Sequence, residues 1–203
     1  MKRGIWLTAT IAALGATAAM AIEEPSYQVI ETHDEYEIRR YDSFIVAETE
    51  VPVDHDSADS AAFRVLAGYI FGDNRAADSA GGNVKMAMTA PVLSTAPNAV
   101  NRDAHIYRFV MPAKYDLDSL PVPLDSRVTI REIPGQLVAV RRYSGRWNLK
   151  GFSANESILR DALQKNGVTP VGPTLFARYN APYTPWFMRR NEVMLAVGSY
   201  EPS

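Results

Sequence analysis

The chain repeats part of itself, and this repetition limits its fold more than any other feature of the sequence. Two pairs of dipeptides recur with the same internal spacing and an offset of 92 residues: Ile38-Arg39 with Val46-Ala47, and Ile130-Arg131 with Val138-Ala139. Ala90-Pro91 and Ala181-Pro182 each close an apolar run, 91 residues apart. Three matches in one order predict two copies of one supersecondary unit, and therefore a pseudo-symmetric fold with a groove where the copies meet.

Each copy is predicted to contain two strands, a helix and two further strands. Alternation of apolar and polar residues predicts strands at 27–32, 36–41, 44–51, 84–90, 105–111, 128–133, 137–143, 174–180 and 191–197. Helices are predicted at 57–71 and 153–165, within repeats of about 26–112 and 126–198. Because the hairpins are short, we expect an α+β domain with mostly antiparallel sheet.

The first 21 residues have the features of a bacterial secretory signal peptide. Lys2 and Arg3 precede an apolar stretch at 5–18, and Ala19-Met20-Ala21 forms a small-x-small cleavage signal. An uncleaved anchor is the alternative, although the stretch is short for a membrane span. The sequence predicts cleavage, a single mature domain at 22–203 without a membrane span, and a periplasmic or secreted location.

Charge and cysteine content exclude several classes of protein. The chain has no cysteine, so disulfides cannot stabilise it. Its formal charge of −2 becomes −4 once Lys2 and Arg3 leave with the signal peptide. A mildly acidic chain without a basic tail is a poor candidate for nucleic-acid binding.

The second predicted helix carries a single apolar stripe and an opposite polar face, as expected for a helix lying on a sheet. The stripe consists of Ile158, Leu159, Ala162 and Leu163.

The first predicted helix carries more apolar surface than one sheet contact requires. Besides the residues that can cover a sheet, Phe63, Ala67 and Phe71 form a second stripe, with Arg64 and Gly68 beside it. Surplus apolar surface on a globular protein indicates a ligand or a partner. A flat, apolar, anionic ligand fits this pattern, whereas the alternatives are coverage by the proline-rich connector at 121–123 or a protein contact through this helix.

Five sequence blocks resemble the signatures of the SOUL/heme-binding protein family, in family order and across most of 24–198. They are Tyr36-Glu37-Ile38-Arg39-Arg40-Tyr41, Ala67-Gly68-Tyr69-Ile70-Phe71-Gly72, Met86-Ala87-Met88-Thr89-Ala90-Pro91-Val92, Phe109-Val110-Met111-Pro112 and Arg189-Arg190-Asn191-Glu192-Val193. The resemblance implies a pseudo-twofold, distorted antiparallel β-barrel flanked by two α-helices, a fold similar to the effector-binding domains of some transcription regulators. It also implies a tetrapyrrole ligand in a shallow apolar groove beside the first helix.

The resemblance and the helix pattern together predict a non-covalent heme carrier or buffer. The predicted cofactor-binding residues are Phe63, Arg64, Ala67, Gly68, Phe71 and Met88. Heme carries two carboxylates, so a cation should rim the groove, and Arg64 is the first candidate. The alternative cations are Arg141, Arg142, Arg146, Arg189 and Arg190.

Axial ligation of iron is poorly supported by the sequence. Some relatives place a histidine, considered an iron ligand, where this chain has Arg40. His55 precedes the apolar helix and is the weak metal candidate, but its Asp54-His55-Asp56 context fits helix capping better than iron ligation.

No catalytic motif occurs in the chain, which favours a non-enzymatic protein. The alternative is an enzyme that acts on a small hydrophobic substrate in the groove between the repeats, with Glu192 as acid or base. The structural interpretation of Glu192 is a salt bridge to a neighbouring arginine. The natural ligand and the oligomeric state remain open.

Overall fold

A computed structural model describes residues 22–52, 58–78, 81–95, 104–198 and 200. The predicted signal peptide and His55 lie outside the described residues, so cleavage, location and a role for His55 in metal binding stay predictions. In the described part of the chain, neither helix combines the length and the apolarity needed to cross a bilayer.

The described residues form eleven strands and two α-helices. The strands are β1 Tyr27–Thr32, β2 Glu37–Tyr41, β3 Phe44–Pro52, β4 Asn74–Arg75, β5 Val92–Thr95, β6 Ala104–Val110, β7 Val122–Pro123, β8 Thr129–Ile133, β9 Gln136–Tyr143, β10 Pro170–Arg178 and β11 Asn191–Val197. The helices are α1 Ala58–Phe71 and α2 Leu149–Lys165.

Nine of these strands form one curled antiparallel sheet, an open half-barrel in the order β1-β2-β9-β11-β10-β5-β6-β3-β8. Matching each strand with the strand in the same place of the other half gives the pairs β2 with β8, β3 with β9, β5 with β10 and β6 with β11. Under this matching the order from β2 to β8 reads the same from both ends. The expected pseudo-twofold α+β barrel with two helices is therefore confirmed.

The recurring dipeptides occupy equivalent places in this arrangement. Ile38 on β2 pairs with Ala139 on β9, and Ile130 on β8 pairs with Ala47 on β3. An offset of 92 residues thus converts one strand contact into the other. The geometry agrees with the proposed repeat, whose origin in duplicated sequence stays a prediction.

Both helices lie on one side of the curled sheet, α1 against β3 and β6 and α2 against β9, β10 and β11. α1 ends where expected, at Gly72, which adopts a φ of 129° that favours glycine. α2 begins four residues earlier than predicted, because the Asn148 side chain caps it by accepting the Gly151 N–H at 2.8 Å. The predicted stripe of α2 is also wrong in one residue, since Ile158 is exposed and Phe152 is buried instead.

The segment at 84–90 is not a strand, contrary to the prediction. It packs beside α1, where the Met86 N–H donates to the Ile70 carbonyl at 2.9 Å. Met86 is buried among the side chains under α1. The apolar alternation in this segment therefore comes from packing on a helix, and the strand of this repeat follows it as β5.

Candidate functional site

The inward face of α1 is a conventional buried helix surface. Leu66 and Ile70 are almost fully buried against the sheet. Tyr69 is buried as well, and its hydroxyl donates to the Pro121 carbonyl at 2.7 Å. The proline-rich connector therefore contacts the Tyr69 side of the helix.

The second apolar stripe of α1 forms a partly open surface, which we call the ridge and define as Phe63, Ala67 and Phe71. Phe63 is 43% exposed and Phe71 is 54% exposed, whereas Ala67 between them is buried. Phe63 also touches the buried Phe109 edge to face, with ring centroids 5.4 Å apart. The ridge thus has two partly exposed aromatic rings on either side of the small, buried Ala67. One of these rings, Phe63, packs against the core.

The other residues predicted to bind a cofactor differ in their surroundings. Arg64 is exposed, and no hydrogen bond or ion pair ties it to another described residue. Met88 is half-buried and packs against the cluster under α1. Gly68 leaves room for Asp73, since a Cβ atom added to Gly68 would lie 2.6 Å from the Asp73 carboxylate. Contact between these residues and a ligand stays a prediction.

A separate apolar cavity of about 300 Å³ lies on the concave face of the sheet, away from the helices. On β11, Val193 and Leu195 pack with α2, so the alternate residue Met194 points to the concave side. Both halves of the sheet contribute to the wall, which includes Tyr41, Phe44, Leu93, Val138, Leu175 and Met194. The cavity lies between the two halves of the sheet, and its identity with the groove predicted between the repeats stays a prediction.

Glu192 is the centre of a buried ion cluster beside this cavity, which we define as Glu192, Arg39, Arg190 and Tyr179. One carboxylate oxygen of Glu192 accepts from Arg39 Nη1 at 3.0 Å and from the Tyr179 hydroxyl at 2.7 Å. The other oxygen accepts from Arg190 Nε at 3.0 Å. Both oxygens are engaged by donors, so the pairing with arginine expected for Glu192 is present.

The ion cluster keeps its members in defined charge states. Burial and the adjacent Glu192 carboxylate raise the pKa of Tyr179 far above its usual range. Although burial disfavours the charged guanidinium, Glu192 beside it gives a net rise in the pKa of Arg39. Tyr179 therefore stays neutral and Arg39 stays charged at physiological pH, which is the state in which both donate to Glu192.

The alternative cations do not lie on α1. Arg141 donates to the Glu35 carboxylate and, at 3.1 Å, to Asn155 of α2. Arg189 stacks over Trp147, with its guanidinium carbon 4.2 Å from the ring centroid. Arg64 is thus the cation candidate on α1 itself. Among the described residues, no three histidine, aspartate or glutamate side chains gather in a way that could hold a metal ion.

A family model described as "SOUL heme-binding protein" matches residues 22–196, which is most of the chain. The chain belongs to the SOUL heme-binding family. The resemblance inferred from the five sequence blocks is therefore confirmed, and heme or another tetrapyrrole is the ligand class that this family suggests.

Solved structures support the fold of this SOUL protein. The C-terminal domain of EcmrR has 10% sequence identity and a TM-score of 0.59, covering 86% of this chain and 99% of that one. A hydrolase from Listeria innocua has 12% identity and a TM-score of 0.58, covering 83% and 94%. An uncharacterized conserved protein from the same organism has 13% identity and a TM-score of 0.58, covering 81% and 92%. No curated protein sequence matches the chain.

Sequence reasoning did not identify the walls of the concave cavity. Its two tyrosines, Tyr41 and Tyr179, come from opposite ends of the chain and meet only through the sheet order. One signal was present, because an acidic residue on an otherwise apolar strand, as Glu192 is on β11, indicates a buried polar cluster.

Proposed function

We propose that this protein binds heme or a related tetrapyrrole non-covalently on the ridge of α1 and acts as a carrier or buffer. The observation that carries the proposal is the exposure of Phe63 and Phe71 on a helix whose neighbouring face already fills the core. Two partly exposed aromatic rings on either side of the small Ala67 offer a planar apolar ligand a surface that folding does not require.

The charge of Arg64 supports the same ligand class. An exposed guanidinium that no described residue engages can donate to a carboxylate of a bound tetrapyrrole. Met88, which packs against the cluster under α1, supplies further apolar contact. With Arg40 at the position of the relatives' histidine, affinity comes from apolar burial and charge pairing, and axial ligation is weak or absent.

The concave cavity is less suited to the same ligand. Its volume of about 300 Å³ lies at the lower end of ligand pockets, which span roughly 300–1,000 Å³. The ion cluster beside it engages both oxygens of Glu192 with three donors, which favours a structural role over acid–base catalysis. Carriage is therefore better supported than the enzymatic alternative, and the predicted signal peptide favours the periplasm or the outside of the cell as its location.

A hemin titration followed by the Soret band tests the proposal. We expect a saturable shift with the native chain and at least about tenfold weaker binding for Phe63→Asp and for Arg64→Glu, since each removes contact and adds repulsion. Val29→Asp is the matched control, because Val29 is a similarly exposed apolar residue on β1, at the other edge of the sheet. Thermal unfolding of each variant separates lost binding from lost folding.

A second titration with iron-free protoporphyrin tests the absence of strong axial ligation. Protoporphyrin keeps the flat ring and the carboxylates but lacks iron, so we expect an affinity within about tenfold of that for hemin. A hemin spectrum that excess protein leaves unchanged, or equal weakening by Val29→Asp, would contradict the proposed site.

A further inference from the structure

The loop between β10 and β11 exposes the densest group of aromatic and apolar side chains in the described part of the chain. Tyr183 is 90% exposed, Phe187 is 61% exposed and Met188 is 65% exposed, and Trp186 between them is about half exposed. Three of these four residues form a short 3-10 turn, Trp186–Met188. We call these four residues the aromatic tip. Exposure of large side chains on this scale marks an interaction surface.

The aromatic tip is held in place by the loop that joins β9 to α2. The Gly145 N–H donates to the Trp186 carbonyl at 3.1 Å. Trp147 Nε1 donates to Asn191 Oδ1 at 2.8 Å, and Asn191 Nδ2 donates to the Gly145 carbonyl at 3.1 Å. The tip is therefore a built feature of the fold, and these contacts fix its backbone without covering its side chains.

The two loops also share one sign of charge. The segments 142–151 and 178–191 contain six lysine and arginine residues and no aspartate or glutamate, in a chain whose formal charge is −2. Arg178 and Arg190 are paired with carboxylates elsewhere. In contrast, Arg146 and Lys150 are exposed, and neither has an ion pair with another described residue.

A cleft of about 510 Å³ joins Arg146 to the aromatic tip. Its wall contains Arg146, Trp147, Tyr183, Trp186 and Arg189, and none of its lining residues is acidic. The Arg146 guanidinium lies over the Trp186 ring, with its central carbon 5.6 Å from the centroid. Arg146 and Arg189 thus lie next to the aromatic side chains of the tip. Segments that bind at a bilayer interface combine basic and aromatic residues in the same way.

We propose that this face docks the protein on the surface of an anionic lipid bilayer. Trp186, Phe187 and Met188 enter the interfacial region, where tryptophan and other aromatic rings are favoured. Arg146 and Lys150 lie beside the lipid headgroups and bind their phosphates. The protein does not span the bilayer in this arrangement, because only a turn of the chain penetrates it.

Co-sedimentation with two kinds of vesicle tests the proposal on the full chain without its predicted signal peptide. We expect binding to vesicles of phosphatidylcholine with phosphatidylglycerol, a blue shift of tryptophan emission, and much weaker binding to phosphatidylcholine alone. The double variant Trp186→Ser/Phe187→Ser should weaken binding by about a hundredfold, since two large apolar side chains leave the interface. Because this variant lacks Trp186, its binding is measured by co-sedimentation alone and not by tryptophan emission.

The double variant Arg146→Glu/Lys150→Glu should weaken binding by at least about tenfold and reduce the dependence on salt, since each basic residue near the surface contributes about fivefold. Val29→Ser is the matched control and should bind like the native chain. Equal binding to both kinds of vesicle, binding unaffected by the tip variant, or binding to DNA but not to vesicles would overturn the proposal. All three variants keep the ridge of α1, so their hemin titrations should equal that of the native chain whether or not vesicles bind.

Discussion

The ridge of α1 and the ion cluster around Glu192 both depart from an ordinary core, but in opposite ways. The ridge leaves Phe63 and Phe71 in contact with solvent although they are strongly apolar. The ion cluster buries the charges of Glu192 and Arg39 although burial is costly for both. In the ridge about half of each aromatic side chain has no partner within the described fold, whereas in the cluster every charge has several.

This difference indicates what each region contributes. Apolar area that stays exposed adds little to folding, and it is the kind of surface at which a ligand is expected. A buried carboxylate with three donors is explained by the fold itself, because the buried charges of Glu192 and Arg39 compensate each other. The comparison therefore predicts ligand binding at the ridge and a stabilising role for the cluster, and substitutions with unequal effects on the two can test it.

Glu192→Gln should have the largest effect on stability. The substitution removes a charge and leaves the buried Arg39 and the half-buried Arg190 beside a neutral amide, at a cost of about 3 to 5 kcal/mol in the free energy of unfolding. Urea denaturation measures the change. Glu24→Gln is the control, since Glu24 pairs with the outer side of Arg190 at 2.9 Å and is partly exposed, and we expect less than about 1 kcal/mol.

The same variant also tests the catalytic alternative for Glu192. A Glu192→Gln protein that is as stable as the native chain would show that the cluster is not structural. If that stable variant also lost turnover of a hydrophobic substrate, the enzymatic interpretation of Glu192 would replace the structural one.

Leu66→Ala and Phe63→Ala compare the two faces of one helix. Leu66 is fully buried, so its truncation leaves a cavity and should cost about 2 to 4 kcal/mol. Phe63 is larger but 43% exposed, and its truncation should cost about 1 kcal/mol because much of its side chain already faces solvent. Thermal unfolding gives both values, and a Phe63→Ala cost equal to that of Leu66→Ala would show that the ridge belongs to the core.

Much of the fold could be predicted from local pattern, because a strand that buries one face alternates in sequence. β2, β3, β9 and β11 lie close to their expected positions for this reason. The segment at 84–90 alternates as well, but its inward residue Met86 faces α1 and its backbone donates to Ile70. Alternation reports which residues are covered and does not identify the element that covers them.

The two candidate sites also differ in how far the sequence predicts them. The ridge was predictable because Phe63 and Phe71 recur at helical spacing on one element. The basic cleft beside the aromatic tip was not, because Trp147 and Arg189 are distant in the chain and stack only once β9 and β11 pair. Long-range pairing creates such sites, and single-sequence patterns carry little information about it.

Two buried tyrosines, Tyr69 on the inward face of α1 and Tyr41 next to the ion cluster, should make the stability of the protein fall at alkaline pH. Burial raises the pKa of Tyr69 under α1 to about 12, and burial raises that of Tyr41 beside the concave cavity to about 12. In the unfolded chain tyrosine loses its proton near pH 10, so above that pH the native state binds more protons than the unfolded state and its stability falls. Each residue should contribute a loss of about 2 to 3 kcal/mol between pH 10 and 12.

Urea denaturation at several pH values tests whether the two tyrosines contribute equally to the alkaline loss of stability. Tyr69→Phe and Tyr41→Phe should each reduce the alkaline slope by a similar amount, whatever their effect at neutral pH. A slope that neither substitution changes would mean that these hydroxyls are not protected from ionisation by the fold.

Gly68→Ala should have the smallest effect and shows whether the space at Gly68 serves the fold or a ligand. The new methyl group would lie 2.6 Å from the Asp73 carboxylate, so the Asp73 side chain must move. Alanine in a helix is favoured over glycine by about 1 kcal/mol, and this gain should nearly cancel the cost of the displacement. We therefore expect a change within about 0.5 kcal/mol in the native background and a gain of about 1 kcal/mol in an Asp73→Ala background. If the gain is equal in both backgrounds, Asp73 does not need the space, and weaker hemin binding by Gly68→Ala would then assign that space to the ligand on the ridge.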